Sequence, residues 1–82
     1  MNDDARMQAF LVQLVQALVE RPAEASVAVI DGRRATRFEI RAAADDRGQV
    51  IGKDGTTIRA IRTLAAISAH RRRRRFEVEL PD

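Results

Sequence analysis

The sequence predicts an α+β fold in the order α-β-β-α-α-β, a three-stranded mixed sheet covered on one face by three helices. Three observations predict it. Residues 4–20 carry a helical apolar period, two strand-like runs flank an Asp31-Gly32 turn, and a final alternating run follows a long helical stretch. The 82 residues are expected to form one domain, 1–82, with no room for a second core. A domain of that length buries only about 60% of its unfolded surface, so a partner would help it.

In residues 4–20, Met7, Phe10, Leu11, Leu14, Val15, Leu18 and Val19 recur at i, i+3, i+4 and i+7, while Gln8, Gln13, Gln16 and Glu20 lie off that stripe. Asp3 or Asp4 is placed to cap the helix, and Pro22 to stop it. Its polar side carries almost no lysine or arginine, which argues for core packing and against a membrane surface. After a loop at 21–25, residues 26–30 form a strand. Thr36, Phe38, Ile40 and Ala42 then alternate with Arg37, Glu39 and Arg41, a half-buried strand antiparallel to the first. The first helix supplies its apolar cover.

Residues 43–47 read as a loop, with Asp45 or Asp46 capping a short helix that carries Gln49, Val50 and Ile51 up to Gly52. The next helix starts near Thr56, turns Ile58, Ile61, Leu64, Ala65 and Ile67 or Ser68 inward, and ends around His70. The arginines at 71–75 then stand where a helix C-terminus is electronegative. Phe76, Val78 and Leu80 alternate with Glu77 and Glu79 in a last strand that Pro81 stops. It returns through a two-helix crossover and should lie parallel to the second strand, with a right-handed connection.

The net charge is only +3, but it is unevenly placed. Six basic and six acidic residues cancel up to Arg41, whereas from Arg47 to Arg75 nine basic residues face Asp54 alone. That asymmetry suggests a polyanionic partner, nucleic acid before an acidic membrane. There is no cysteine and one histidine, so no disulfide, metal or other cofactor is expected. No apolar run approaches the ~20 residues that span a bilayer, and Asp3 and Asp4 stand where a signal peptide would be basic. The expected location is cytoplasmic. No nucleophile–base pair, carboxylate pair or metal cluster suggests catalysis.

The segment Val50-Ile51-Gly52-Lys53-Asp54-Gly55-Thr56-Thr57-Ile58-Arg59 carries the functional signal. An apolar helix end, a Gly-x-x-Gly turn and a following helix can present backbone N–H groups and a cation to a phosphate. A nucleotide phosphate loop is incomplete here, because Asp54 follows the lysine where Ser or Thr is needed. Phe10, Phe38 and Phe76 all read as core, so base stacking on aromatics is not evident.

This segment resembles the Ile-Gly-x-x-Gly-x-x-Ile signature of KH domains, and the element order around it resembles the type II arrangement. With Ile61-Arg62-Thr63-Leu64 following, essentially the whole chain is similar to the small bacterial KhpA family. The resemblance implies a turn at 52–55 that clamps the backbone of about four nucleotides of single-stranded RNA. Gly52 and Gly55 would let the phosphate approach, Lys53 would add a mobile cation and Asp54 would partly offset it. Thr56 and Thr57 open the following helix. Val50, Ile51 and Ile58 would floor an apolar groove with Ile40 in its opposite wall, and Arg59 and Arg62 would line the binding side.

The family further implies an RNA chaperone or post-transcriptional regulator linked to cell elongation and envelope control. It would act as a homodimer or with a larger KH-containing partner, KhpB. Two other readings stay open: a protein-interaction module that dimerises through the 58–69 helix and the glycine corner, and a ribosome-associated factor that reads structured RNA through its arginines. Outside the motif, Gly48 reads as helix packing, His70 as a helix end and 71–75 as a solvated basic run with diffuse phosphate attraction.

Overall fold

In the computed structural model, which describes residues 2–81, the chain opens with α1 (Asp3–Leu18). It continues through β1 (Ser26–Asp31), β2 (Thr36–Arg41), α2 (Arg47–Ile51), α3 (Thr56–Arg71) and β3 (Phe76–Glu79). Short 3-10 turns occupy Pro22–Glu24, Ala44–Asp46 and Lys53–Gly55. The sheet order is β1-β2-β3, with β2 antiparallel to β1 and parallel to β3. The α+β order and the mixed three-stranded sheet are therefore as the sequence predicts.

Why each element forms is visible in its burial. Along β2, Thr36, Phe38 and Ile40 face the helices and are buried, while Arg37 and Arg41 are exposed on the other face. Phe76 and Val78 of β3 continue the same buried face. The Phe38 and Phe76 rings meet edge to face, centroids 5.2 Å apart at 87°. Such a pair adds about 0.5–1.5 kcal/mol beyond its buried area. Met7, Leu11 and Val15 of α1, Val50 of α2 and Ile58, Ile61, Ala65 and Ala69 of α3 complete the core.

Several expectations need correction. Helix α1 is capped by Asn2, whose Oδ1 accepts the Ala5 N–H at 2.7 Å, not by Asp3 or Asp4. Those two aspartates instead stand in its first turn and reach other elements. Asp4 accepts a hydrogen bond from Thr36 Oγ1 at 3.0 Å. The helix also ends at Leu18, before Pro22 can act, and Pro22 starts a 3-10 turn. Phe10 is not core: it sits on the outer edge of the stripe, 43% exposed, as do Leu64 and Ile67 on α3. A wide stripe offers more apolar surface than a two-layer domain this small can cover.

Asp46 gives the clearest case of a long-range role hidden from local reading. It lies at the start of α2, but its side chain makes no cap hydrogen bond there. Its carboxylate, only 5% exposed as a residue, accepts the backbone N–H of Glu20 at 3.2 Å and of Arg21 at 3.1 Å. The chain leaving α1 is thereby pinned to the entrance of α2, which positions the α2–α3 pair against the sheet.

Candidate nucleic-acid interface

Helices α2 and α3 meet at the turn 52–55. The Gly52 N–H closes α2 on the Gly48 carbonyl at 2.9 Å. Gly52 then takes φ 78°, ψ 169°, Asp54 φ 56°, ψ 25°, and Gly55 φ 75°, ψ 14°. Three left-handed residues in four reverse the chain direction within one turn. Glycine reaches that region freely, and Asp is among the few other residues that tolerate it.

The two glycines serve different ends. A Cβ on Gly52 would stand 2.2 Å from Thr57 Oγ1 and 2.8 Å from the Thr57 backbone nitrogen. No side chain fits there, because the turn packs directly on the first residues of α3. A Cβ on Gly55 would meet only Arg59 Nη1, at 3.0 Å, the movable end of a long side chain. At Gly52 the missing Cβ is thus required by the fold itself, whatever approaches the turn from outside.

The polar groups of the turn are sorted by direction. Its carbonyls are occupied: Gly55 N–H donates to Gly52 O at 3.1 Å, Thr56 Oγ1 to Lys53 O at 2.7 Å and Arg59 Nη1 to Asp54 O at 2.8 Å. The backbone N–H groups of Lys53 and Asp54 find no acceptor among the described residues. The Lys53 ammonium and the Asp54 carboxylate are exposed and also without a partner there. Donors therefore project while acceptors are tied back, which favours an anion at the N-terminus of α3. The Asp54 charge beside Lys53 weakens that attraction.

The other residues expected at the site divide. Ile51 is exposed beside the turn, and Thr57 is half-buried beneath Gly52. Val50 and Ile40 have no accessible surface, and Ile58 only 8%. These three support the turn from inside the core and offer little or no surface to a base. As the central strand, β2 also has both backbone edges paired, to β1 and to β3. Arg62 bends away from the turn, its Nε donating to Val78 O at 2.9 Å and its guanidinium 3.9 Å from Glu79.

That bend marks a surface the sequence reading missed. Between α3 and β3 lies an open depression of about 330 Å³, lined by Arg62, Ala66, Phe76, Glu77, Val78 and Glu79. Arg62 lies seven positions beyond Gly55, about 10 Å along α3. The signal was available. Once β3 is placed at the sheet edge beside β2, the i, i+4 pair Arg62 and Ala66 must face it. No helix of the described residues is long and apolar enough to cross a membrane, and they contain no group of three His, Asp or Glu that could hold a metal ion.

Comparison with known proteins shows the family of the chain. The family profile described as KhpA/KhpB, KH domain, matches residues 8–80. The chain is 38% identical over 74 residues to the RNA-binding protein KhpA of Chlamydia pneumoniae, covering 90% of this chain and 95% of that protein. It is 39% identical over 72 residues to the RNA-binding protein KhpA of Treponema pallidum, covering 88% and 90%. With its counterpart of the same name in Clostridium acetobutylicum the identity is 34% over 74 residues, covering 90% and 99%. No solved structure matches the chain significantly.

Proposed function

The chain belongs to the KhpA/KhpB KH-domain family, and from that premise we propose that it is a non-catalytic protein that grips single-stranded RNA at the 52–55 turn. The observation that carries this reading is the sorting of polar groups in the turn. Its carbonyls are bonded inward, while two amides and the Lys53 ammonium project at the start of α3. A phosphodiester backbone is the ligand such a donor array suits, and the name of the relatives, RNA-binding protein, supports RNA as its source. Gly55, Thr56 and Arg59 complete the contact surface, and Ile51 offers the exposed apolar edge against which a base can lie. Arg62 and the α3–β3 depression continue the path.

Affinity from one such turn should be modest, since Asp54 offsets Lys53 and no aromatic side chain stands beside them to stack a base. A second turn on a partner would raise it through effective concentration. The reading therefore includes a homodimer or a pair with a larger KhpB-type protein, working in the cytoplasm as an RNA chaperone or post-transcriptional regulator, with cell elongation and envelope control as its physiological setting. In-cell ultraviolet crosslinking followed by sequencing tests it. Recovery of RNA with crosslinks mapped to the turn supports the proposal, and recovery of none above background contradicts it.

One observation favours a second reading, that of a protein-interaction module. Phe10, Leu64 and Ile67 are 43%, 47% and 54% exposed on the helical side of the molecule. Phe10 and Leu64 line one depression with Met7, between α1 and α3. The inward residues of α3, from Ile58 to Ala69, are committed to the core, so a dimer contact would use Leu64 and Ile67 instead. Self-association without detectable RNA binding would make this the better account.

A further inference from the structure

The far end of α3 carries a basic surface that the turn does not use. The arginines at 71–75 read from sequence as a solvated run, but the fold sorts them. Arg72 lies 3.6 Å from Asp3, and Arg74 Nη2 donates to both Asp4 oxygens at 2.7 and 2.9 Å and to Thr36 Oγ1 at 3.2 Å. The Thr36 N–H donates to the Arg75 carbonyl at 2.9 Å. Alternate residues are thereby anchored to α1 and β2. Arg73 and Arg75 are left beside Arg33 and Arg34, which project from a β1–β2 turn closed by the Gly32 N–H on Ala35 O at 3.0 Å. These four guanidinium groups have no ion pair among the described residues. With Arg74 and Asp31 they line a depression of about 320 Å³.

A second observation concerns the backbone. The Arg73 N–H donates to His70 O at 3.2 Å and the Arg74 N–H to Ala69 O at 2.8 Å. That is the Schellman pattern ending α3, and its left-handed position usually holds glycine. Here it holds Arg73, at φ 55°. An arginine standing where glycine would be easier is a local strain of the kind that gathers at functional positions.

We propose that this depression is a second phosphate-binding site, which takes the RNA backbone about 24 Å from the 52–55 turn, the length of sixteen-residue α3. One RNA strand would then be held at both ends of that helix. Four unpaired guanidinium forks suit phosphate oxygens bidentately. An anionic membrane is the weaker match, because no large apolar side chain lines the depression to enter a bilayer. The proposal rests on RNA as the ligand but not on the turn as its other contact.

The test compares wild type with R33Q/R34Q/R73Q/R75Q in binding a four-nucleotide and a twenty-nucleotide single-stranded RNA between 0.1 and 0.4 M salt. At a slope of about −0.7 per phosphate, four lost contacts make the long-RNA log–log slope shallower by roughly 3. The wild type alone then shows an additional loss of about fifty-fold across that range. The short RNA is expected to bind equally to both proteins, since at 0.1 M the Debye length of about 10 Å screens charges 24 Å away. R73G adds a separate readout: its melting temperature should rise by a few degrees while the long-RNA slope becomes shallower by about 0.7.

An unchanged long-RNA slope overturns the proposal. So does an equal loss for both RNAs where Lys53→Glu also weakens the short one, which would mean general attraction, and so does a loss seen only when phosphatidylserine vesicles replace the RNA in the same comparison. A loss for long RNA in the quadruple variant, even where Lys53→Glu has no effect on either RNA, supports this site while removing the turn from the reading.

Discussion

Replacing Gly52 by alanine tests the geometry of the turn most severely. The backbone at φ 78°, ψ 169° lies in a region essentially reserved for glycine, which costs an alanine about 1–3 kcal/mol. The new Cβ must also clear Thr57, whose Oγ1, Cβ and backbone nitrogen stand 2.2, 2.6 and 2.8 Å from its ideal position. Moving the hydroxyl is easy, but moving the backbone nitrogen displaces the first turn of α3, an overpacking penalty of about 1–3 kcal/mol. The stiffer unfolded chain returns about 0.4–1 kcal/mol. The sum is a loss of about 1–6 kcal/mol, centred near 3, against roughly 4–12 kcal/mol expected for a chain of this length.

Gly55→Ala is the control. Its conformational penalty is about 1–2 kcal/mol, with the same unfolded-state return, and its Cβ meets only the end of Arg59. Thermal denaturation followed by circular dichroism should show Gly52→Ala lower by about 10 °C or more, at 4–8 °C per kcal/mol, and Gly55→Ala by about half that or less. Equal melting temperatures for the two variants, or a Gly52→Ala protein as stable as wild type, would refute the packing of the turn on Thr57.

Asp46→Ala should destabilise the protein by about 2–4 kcal/mol in urea titration, because it leaves the Glu20 and Arg21 amides without their acceptor. Asp46→Asn, which keeps one carbonyl oxygen, should cost less. Asp54→Asn removes the charge opposing Lys53 while retaining a residue that tolerates the left-handed position, so single-stranded RNA should bind about two- to fivefold more tightly by anisotropy. Leu11→Ala, at a fully buried position, should cost about 2.7–5 kcal/mol. Leu64→Glu, on the exposed side of α3, should leave stability within about 0.5 kcal/mol and lower any self-association seen by analytical ultracentrifugation.

Much of the fold was legible because short-range periodicity carries it. The alternation of Thr36, Phe38 and Ile40 against Arg37 and Arg41 fixes which face of β2 is buried, and it is that face. The two glycines located the corner between α2 and α3 for a local reason, their positive φ. What local pattern could not supply was competition for cover. Phe10 matches the stripe of α1 as well as Leu11 does, yet Leu11 is sealed while Phe10, 43% exposed, borders an open depression between α1 and α3.

The same limit applied to the site. Val50 and Ile40 are apolar and near the motif in sequence or fold, but depth from the surface is a tertiary property, and both lie at the bottom of the core. Long-range polar contacts were likewise invisible. Nothing near Asp46 signals amides 25 and 26 residues earlier, and nothing in five consecutive arginines signals that Asp3 and Asp4 will anchor two of them.

The central claim is that Lys53 and the projecting amides of the 52–55 turn hold an RNA phosphate. Equilibrium binding of a four-nucleotide single-stranded RNA to wild type and Lys53→Glu, at 0.1 M salt and above, measures it directly, with circular dichroism to establish equal folding. The account predicts at least tenfold weaker binding for the variant, since a charge-assisted hydrogen bond is worth roughly 1.5–3 kcal/mol, and a salt slope shallower by about 0.7. Equal affinity and equal slope for the two proteins would contradict it.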